Sequence, residues 1–218
     1  MDLSSTKPQV ISNLKFWGIV LKRSITHSQL GASLWAIKGA KSPAPNSVKL
    51  KVLKRNFVRF GTCIETGTYL GDTTLSLSKN FPMVISIEPE NSLYLFAKKR
   101  LRRRPNVHLI FGTSEEKLSQ AIKEVPEGGS LNLWLDGHFS GGFTYRGKTI
   151  MPLKEELEVV SSNLNKFSEV VIAIDDFRDI PSFSREDVSR ERLVEFAQTN
   201  FLSWSVEQDI FIMKKKKA

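Results

Sequence analysis

The stretch Cys63-Ile64-Glu65-Thr66-Gly67-Thr68-Tyr69-Leu70-Gly71-Asp72-Thr73-Thr74 limits what the rest of the chain can become. An apolar segment, Thr62 to Glu65, closes on an acid. Gly67 and Gly71 follow two and six positions after that acid, and Asp72 suits the first turn of a helix. A nucleotide-type ligand needs this order of parts at the carboxyl edge of a parallel sheet. Gly67 allows a tight turn and close backbone approach, and Gly71 lets the helix pack against the strand. Glu65 stands where an amino group or hydroxyl of a ligand needs a carboxylate partner. Glycine turns are common, so the stretch takes its meaning from what repeats around it.

The same order of strand, strand-end acid and helix recurs. Met83 to Glu88 is a second strand, followed by a helix from Ser92 to Arg104 that Pro105-Asn106 ends. Val107 to Phe111 is a third; Thr113 with Glu116 then fits a capping box on a helix reaching about Lys123. Leu131 to Asp136 is a fourth, and Glu169 to Ile174, before Asp175-Asp176, a fifth. Pro152 suits the first turn of an intervening helix, with Glu155 and Glu156 near its positive end. A helix over Arg185 to Thr199 and a hairpin of Ser203 to Gln208 with Asp209 to Lys214 close the chain. Successive β-α units imply a Rossmann-like, doubly wound α/β fold. The expectation is a mostly parallel seven-stranded sheet with helices on both faces and an antiparallel edge hairpin. Residues 1–46 form a helical appendage, with apolar periodicity over Val10 to Leu21 and Gln29 to Lys38. The prolines of Lys41 to Asn46 make the turn into residues 47–218, where Asn46 or Ser47 caps a helix from Val48 to Phe57. The appendage is a lid, a dimer contact or a plain cap on the core.

With 218 residues, 40% hydrophobic and 25% charged, the chain is neither disordered nor membrane-embedded by composition. No apolar run approaches a bilayer-spanning length, no signal peptide opens the chain, and Cys63 is the single cysteine. A reduced, cytoplasmic protein is the expectation. The net charge is +9, a balance that suits nucleic acid or an anionic surface. The excess is nevertheless confined to Lys98 to Arg104 and Lys214 to Lys217, and the rest is roughly neutral. The first run lies late in a helix, where cations complement the macrodipole; the second reads as a frayed tail. Both read as solvated faces.

The chemistry gathers at strand ends. Glu88 lies about 20 residues beyond Gly67, the spacing at which a Rossmann-type strand offers a carboxylate to ribose hydroxyls. Thr113 and Ser114 stand where an adenine-type ring is met, though capping alone also accounts for them. Asp136, Asp175 and Asp176 end the fourth and fifth strands, expected neighbours across the switch point. Three such oxygens suit a hard cation such as Mg2+; without one, raised pKa values must relieve their repulsion. The alternative has Asp136 orienting a cofactor and Asp175-Asp176 starting a loop. His138, two residues past Asp136, can take a proton from a cation-bound hydroxyl, or serve as a ligand or a structural group. The glycine-rich loop Gly137 to Gly147 is a candidate substrate loop, in which Tyr145 and Arg146 can hold an anionic or sugar substrate. His27 and His108 have no evident chemical neighbours.

Glu65-x-Gly67-x-Tyr69-x-Gly71-x-Thr73, the Glu88 strand end, Asp136 and Asp175-Asp176 together resemble class I S-adenosylmethionine-dependent methyltransferases. Within that class they are similar to the metal-dependent O-methyltransferases of the catechol and macrocin types, over about residues 60 to 214. The resemblance implies that Glu65, Gly67, Tyr69 and Gly71 line the methionine end of S-adenosylmethionine, with Thr73 beside it. It puts Glu88 on the ribose, Thr113 and Ser114 near the adenine, and Mg2+ on Asp136, Asp175 and Asp176. Asp136 also borders the cofactor, and with His138 makes the catalytic pair. The macrocin type reads Asp-Gly-Asp where this chain has Asp136-Gly137-His138, and the catechol type has asparagine at Asp176. Both departures leave base and acceptor open. The function so implied is Mg2+-assisted O-methylation of a hydroxyl on a small molecule or glycan. Metal-independent methylation of nucleic acid or protein, and a non-catalytic cofactor-binding scaffold, remain alternatives. A nicotinamide dehydrogenase fits the glycine spacing and Tyr69 poorly. A homo-oligomer is compatible with all of these.

Overall fold

Strands covered on both faces must be apolar at nearly every position, and strands open on one face alternate. The computed structural model describes residues 29–136, 152–183 and 188–215 and follows this rule. β1 (Thr62–Thr66) and β2 (Val84–Glu88) are buried throughout, as are β4 (Ser130–Leu135) and β5 (Glu169–Ile174) beyond their first residues. β3 (Val107–Phe111) and β6 (Ser203–Glu207) are largely open, while β7 (Ile210–Lys215) is buried over its first four residues. The single seven-stranded sheet has the order β3-β2-β1-β4-β5-β7-β6. β1 to β5 pair in parallel, and β7 joins β5 and β6 antiparallel. This is the doubly wound α/β architecture expected, with the hairpin placed so that β7 inserts beside β5. The chain order reverses between β1 and β4. Sequence spacing places the switch between the fourth and fifth strands, whereas it falls one strand earlier, so Asp136 sits at the reversal and Asp175 beside it.

Alternate residues of the strands feed two cores. Ile64, Leu133, Ile172 and Ile174 pack with α5 (Ser114–Lys123), α6 (Leu153–Ser161) and α7 (Arg190–Thr199). Cys63, Trp134, Val171 and Ala173 pack with α2 (Asn46–Asn56) and Leu77 of α3 (Asp72–Leu77). Among the described residues the other α-helices are α1 (Gln29–Ile37) and α4 (Asn91–Leu101).

α2 is more than a lead-in to the sheet. Val52, Leu53 and Phe57 are buried in the second core. Just past it, buried Asn132 on β4 accepts the Val58 N–H at 2.8 Å and donates to the Val58 carbonyl at 2.9 Å. Gly61 lets this happen, since a Cβ there would lie 2.7 Å from Asn132 Nδ2. Asn56 donates to Glu207 at 3.3 Å and accepts from Lys214 Nζ at 2.7 Å. Arg55 also pairs with Glu207.

Several boundaries differ from the sequence reading. Pro45, not Asn46 or Ser47, occupies the N-cap position of α2. Thr113 occupies that of α5, but its side chain makes no capping bond, so the expected box does not form around it. Lys214 and Lys215 are strand residues rather than a frayed tail, and Lys215 Nζ donates to the carbonyls of Leu164 (2.8 Å) and Phe167 (2.9 Å). The expected helix at Val10 to Leu21, the loop carrying His138, Tyr145 and Arg146, and Lys216 and Lys217 lie outside the described residues.

Candidate active site

The glycine turn is held by backbone geometry. Gly67 (φ +85°), Tyr69 (+50°) and Gly71 (+77°) are all left-handed, a conformation costly to a residue with a Cβ. The N–H groups of Gly67 and Thr68 donate to the Ile87 carbonyl at 3.0 and 3.2 Å, pinning the turn to the end of β2. There Glu88, 3% exposed, accepts from the Tyr69 N–H at 2.7 Å on one oxygen and from the Glu90 N–H at 2.9 Å on the other. Burial raises its pKa, and the two N–H groups only partly offset this. Each oxygen keeps a lone pair for a further donor. Gly71 makes room for α4 rather than for its own helix: a Cβ there would meet Leu101 Cδ1 at 3.3 Å. Arg100, part of the basic run, is no bystander. It donates to the Leu70 carbonyl at 2.6 Å and to Asp72 at 2.7 Å, tying α4 to the turn.

Glu65 turns toward α3. Its Oε2 accepts the hydroxyls of Thr74 at 2.5 Å and Ser86 at 2.7 Å. Burial pushes its pKa to about 7 against those two donors. Thr73 Oγ1 donates to Asn46 Oδ1 at 3.4 Å, joining α3 to the start of α2. The Gly112 N–H donates to the Glu88 carbonyl at 3.1 Å, which sets Thr113 and Ser114 beside that strand end. Ser114 and Thr66 face Glu156, whose pKa burial also raises to about 7. Thr66 Oγ1 and Glu156 Oε1 are buried without a partner at hydrogen-bond length.

At the reversal of the sheet the three aspartates meet. Leu135 and Ile174 are in register, so Asp136 and Asp175 leave adjacent strands side by side. Oxygens of Asp136, Asp175 and Asp176 lie within 4.8 Å of one another. Asp176 takes a left-handed turn (φ +51°). Among them sits Lys49, whose Nζ is 2.5 Å from Asp175 Oδ2 and 3.2 Å from Asp176 Oδ1. Arg178 Nη1 adds a contact to Asp176 Oδ1 at 3.1 Å and pairs with Asp209. Burial and the Asp175 charge push Asp136 well above the usual carboxylate range. Burial also raises Asp175, against the pull of Lys49. For Asp176 the burial is outweighed by Lys49 and Arg178, which hold it below its ordinary value. Burial opposes the charge on Lys49, but Asp175, Asp176 and Asp136 together raise its pKa. Asp175 Oδ1 is buried and has no hydrogen-bond partner.

The sequence names the aspartates, and the structure brings them together. Lys49 belongs to no motif. Its signal is positional: it shares a helix face with Val52, Leu53 and Asn56, at spacings of three, four and seven. A lysine on the apolar face of a core helix needs a buried partner.

No protein-family model matches the chain, and no curated protein matches it. Among solved structures it is similar to SMU.1697c of Streptococcus mutans in complex with SAH, at 12% identity and TM-score 0.49, covering 82% of this chain and 100% of that one. It is similar to a precorrin-6y C5,15-methyltransferase from Geobacter metallireducens, at 15% and 0.49, covering 80% and 90%. An rRNA methylase from Streptococcus thermophilus gives 13% and 0.47, covering 81% and 98%. The likeness is distant, and the reaction of this chain has to be argued from its own site.

Proposed function

We propose that the chain is an S-adenosylmethionine-dependent methyltransferase acting on a hydroxyl of a small molecule or sugar. One observation carries this reading: the Glu88 carboxylate, pinned by the N–H groups of Tyr69 and Glu90 beneath a left-handed glycine turn. Such a carboxylate, with lone pairs to spare at the end of β2, suits the paired hydroxyls of a ribose. When bound, the cofactor supplies an electrophilic methyl group on a sulfonium. Residues of this chain fix its ribose, border its adenine through Thr113 and Ser114, and present the acid cluster to the acceptor. Methyl transfer of this kind depends chiefly on holding the acceptor oxygen in line.

A divalent ion is what Asp136, Asp175 and Asp176 invite by type, and the spacing of their oxygens and the unpartnered Asp175 Oδ1 favour one. The arrangement as a whole does not fit Mg2+. That ion keeps several waters and demands an octahedral shell, yet an ammonium already lies 2.5 Å from one carboxylate and would repel it.

The test is calorimetry with S-adenosylhomocysteine, followed by mass spectrometry of a hydroxyl library incubated with S-adenosylmethionine. Binding that Glu88→Ala weakens by about 1–3 kcal/mol is expected. Absence of binding at millimolar ligand, or affinity indifferent to Glu88→Ala, would remove the reading. The net charge of +9 favours a nucleic-acid acceptor as a second reading, which requires acceptor affinity to fall steeply with salt.

A further inference from the structure

We propose that Lys49 is the resident cation of the acid cluster, doing from a fixed tether what a divalent ion would do among Asp136, Asp175 and Asp176, so that the site works without metal. The inference rests on reading those aspartates as the acceptor end of the site. Three carboxyl groups brought to one place need positive charge or protons. Lys49 Nζ meets two of them, at 2.5 and 3.2 Å. Its side chain is only 12% exposed, so solvent screens the pair little.

The tether is firm. One turn further along α2, Val52 and Leu53 are locked in the core, and Asn132 holds the backbone of Val58 by two hydrogen bonds. Withdrawing the ammonium from this position would leave the buried Asp175 carboxylate without its counter-charge, with Arg178 serving Asp176 alone, which is costly. A dication entering beside it would meet a like charge at short range.

The ammonium has three N–H donors, and two are used by Asp175 and Asp176. Asp175 Oδ1 is buried with no partner. One spare donor and one spare acceptor in the same cluster suit a hydroxyl group, whose oxygen accepts and whose O–H donates. Lys49 would then orient the acceptor and stabilise negative charge on its oxygen, as a bound cation does elsewhere.

The test uses the full chain, stripped with a chelator and titrated calorimetrically with Mg2+ and then Mn2+. The wild type is expected to take up neither at millimolar concentration. Lys49→Gln removes the charge and keeps most of the stem for packing; it is expected to bind Mn2+ at least about tenfold more tightly than the wild type. Lys49→Arg keeps the charge and should exclude metal as the wild type does. Stoichiometric, submillimolar Mg2+ binding by the wild type would overturn the proposal, as would Lys49→Gln that binds Mn2+ no better. Should Lys49→Gln fail to fold, the wild type still decides. Metal at a hundredfold excess over its dissociation constant would raise the melting temperature by roughly 5–10 °C, and none of that rise is expected. Loss of S-adenosylhomocysteine binding by the wild type would instead sink the methyltransferase reading and leave the metal result standing.

Discussion

Glu65 is buried to 1% exposure with two hydroxyls donating to one oxygen. Its pKa is near 7 against an ordinary 4.5, so the folded chain holds this proton to higher pH than the unfolded one. The stability it contributes is complete below about pH 4.5 and is lost as pH rises through 7. Glu65→Gln keeps an oxygen for Thr74 and Ser86 and abolishes the titration. Urea unfolding should find it more stable than wild type at pH 8 by on the order of 1–3 kcal/mol, and nearly equal at pH 4. An identical difference at both pH values would mean that Glu65 does not titrate this way. Gly71 is a second single-residue lesson. Its φ of +77° and the Leu101 contact both oppose a side chain, so Gly71→Ala should cost about 1–2 kcal/mol. Denaturant midpoints unchanged by it would contradict the packing described for α4.

The elements differ in how visible they are before folding. β1, β2, β4 and β5 announce themselves because both faces are covered and nearly every residue must be apolar. Glu88, Asp136 and Asp175 were legible for the same reason, being the polar residues that end such runs. Capping was less so: Thr113 has the spacing for a box, yet its hydroxyl caps nothing. α2 shows the limit most clearly. The backbone just past it is held by Asn132, more than seventy residues away, and no local pattern contains that partner. Asn132→Ala removes both bonds to Val58 and should destabilise the fold by about 2–4 kcal/mol, read by thermal or urea unfolding. A variant as stable as wild type would show that the core alone seats α2. Lys49 was hidden likewise, since its partners follow β5 and arrive only through the sheet order.

Across the whole molecule the charge is less evenly free than composition suggests. Arg100, Lys214 and Lys215 are committed to carbonyl, carboxylate or amide oxygens, whereas Arg103 is exposed and Arg104 half-buried, both beyond the end of α4. Changing both Arg103 and Arg104 to Ser should therefore leave S-adenosylhomocysteine affinity and turnover unaltered; a large loss would revive a nucleic-acid acceptor. The helix that precedes β1 has a further consequence for anyone dissecting the protein. The natural seam for a cut lies just ahead of the sheet, and trimming there would discard Lys49 along with α2. The shortened sheet would then hold three acids with only Arg178, on Asp176, opposite them. It would be expected to fold best under acidic conditions, or to scavenge a metal from the buffer, and so to display an ion requirement that the intact chain does not have.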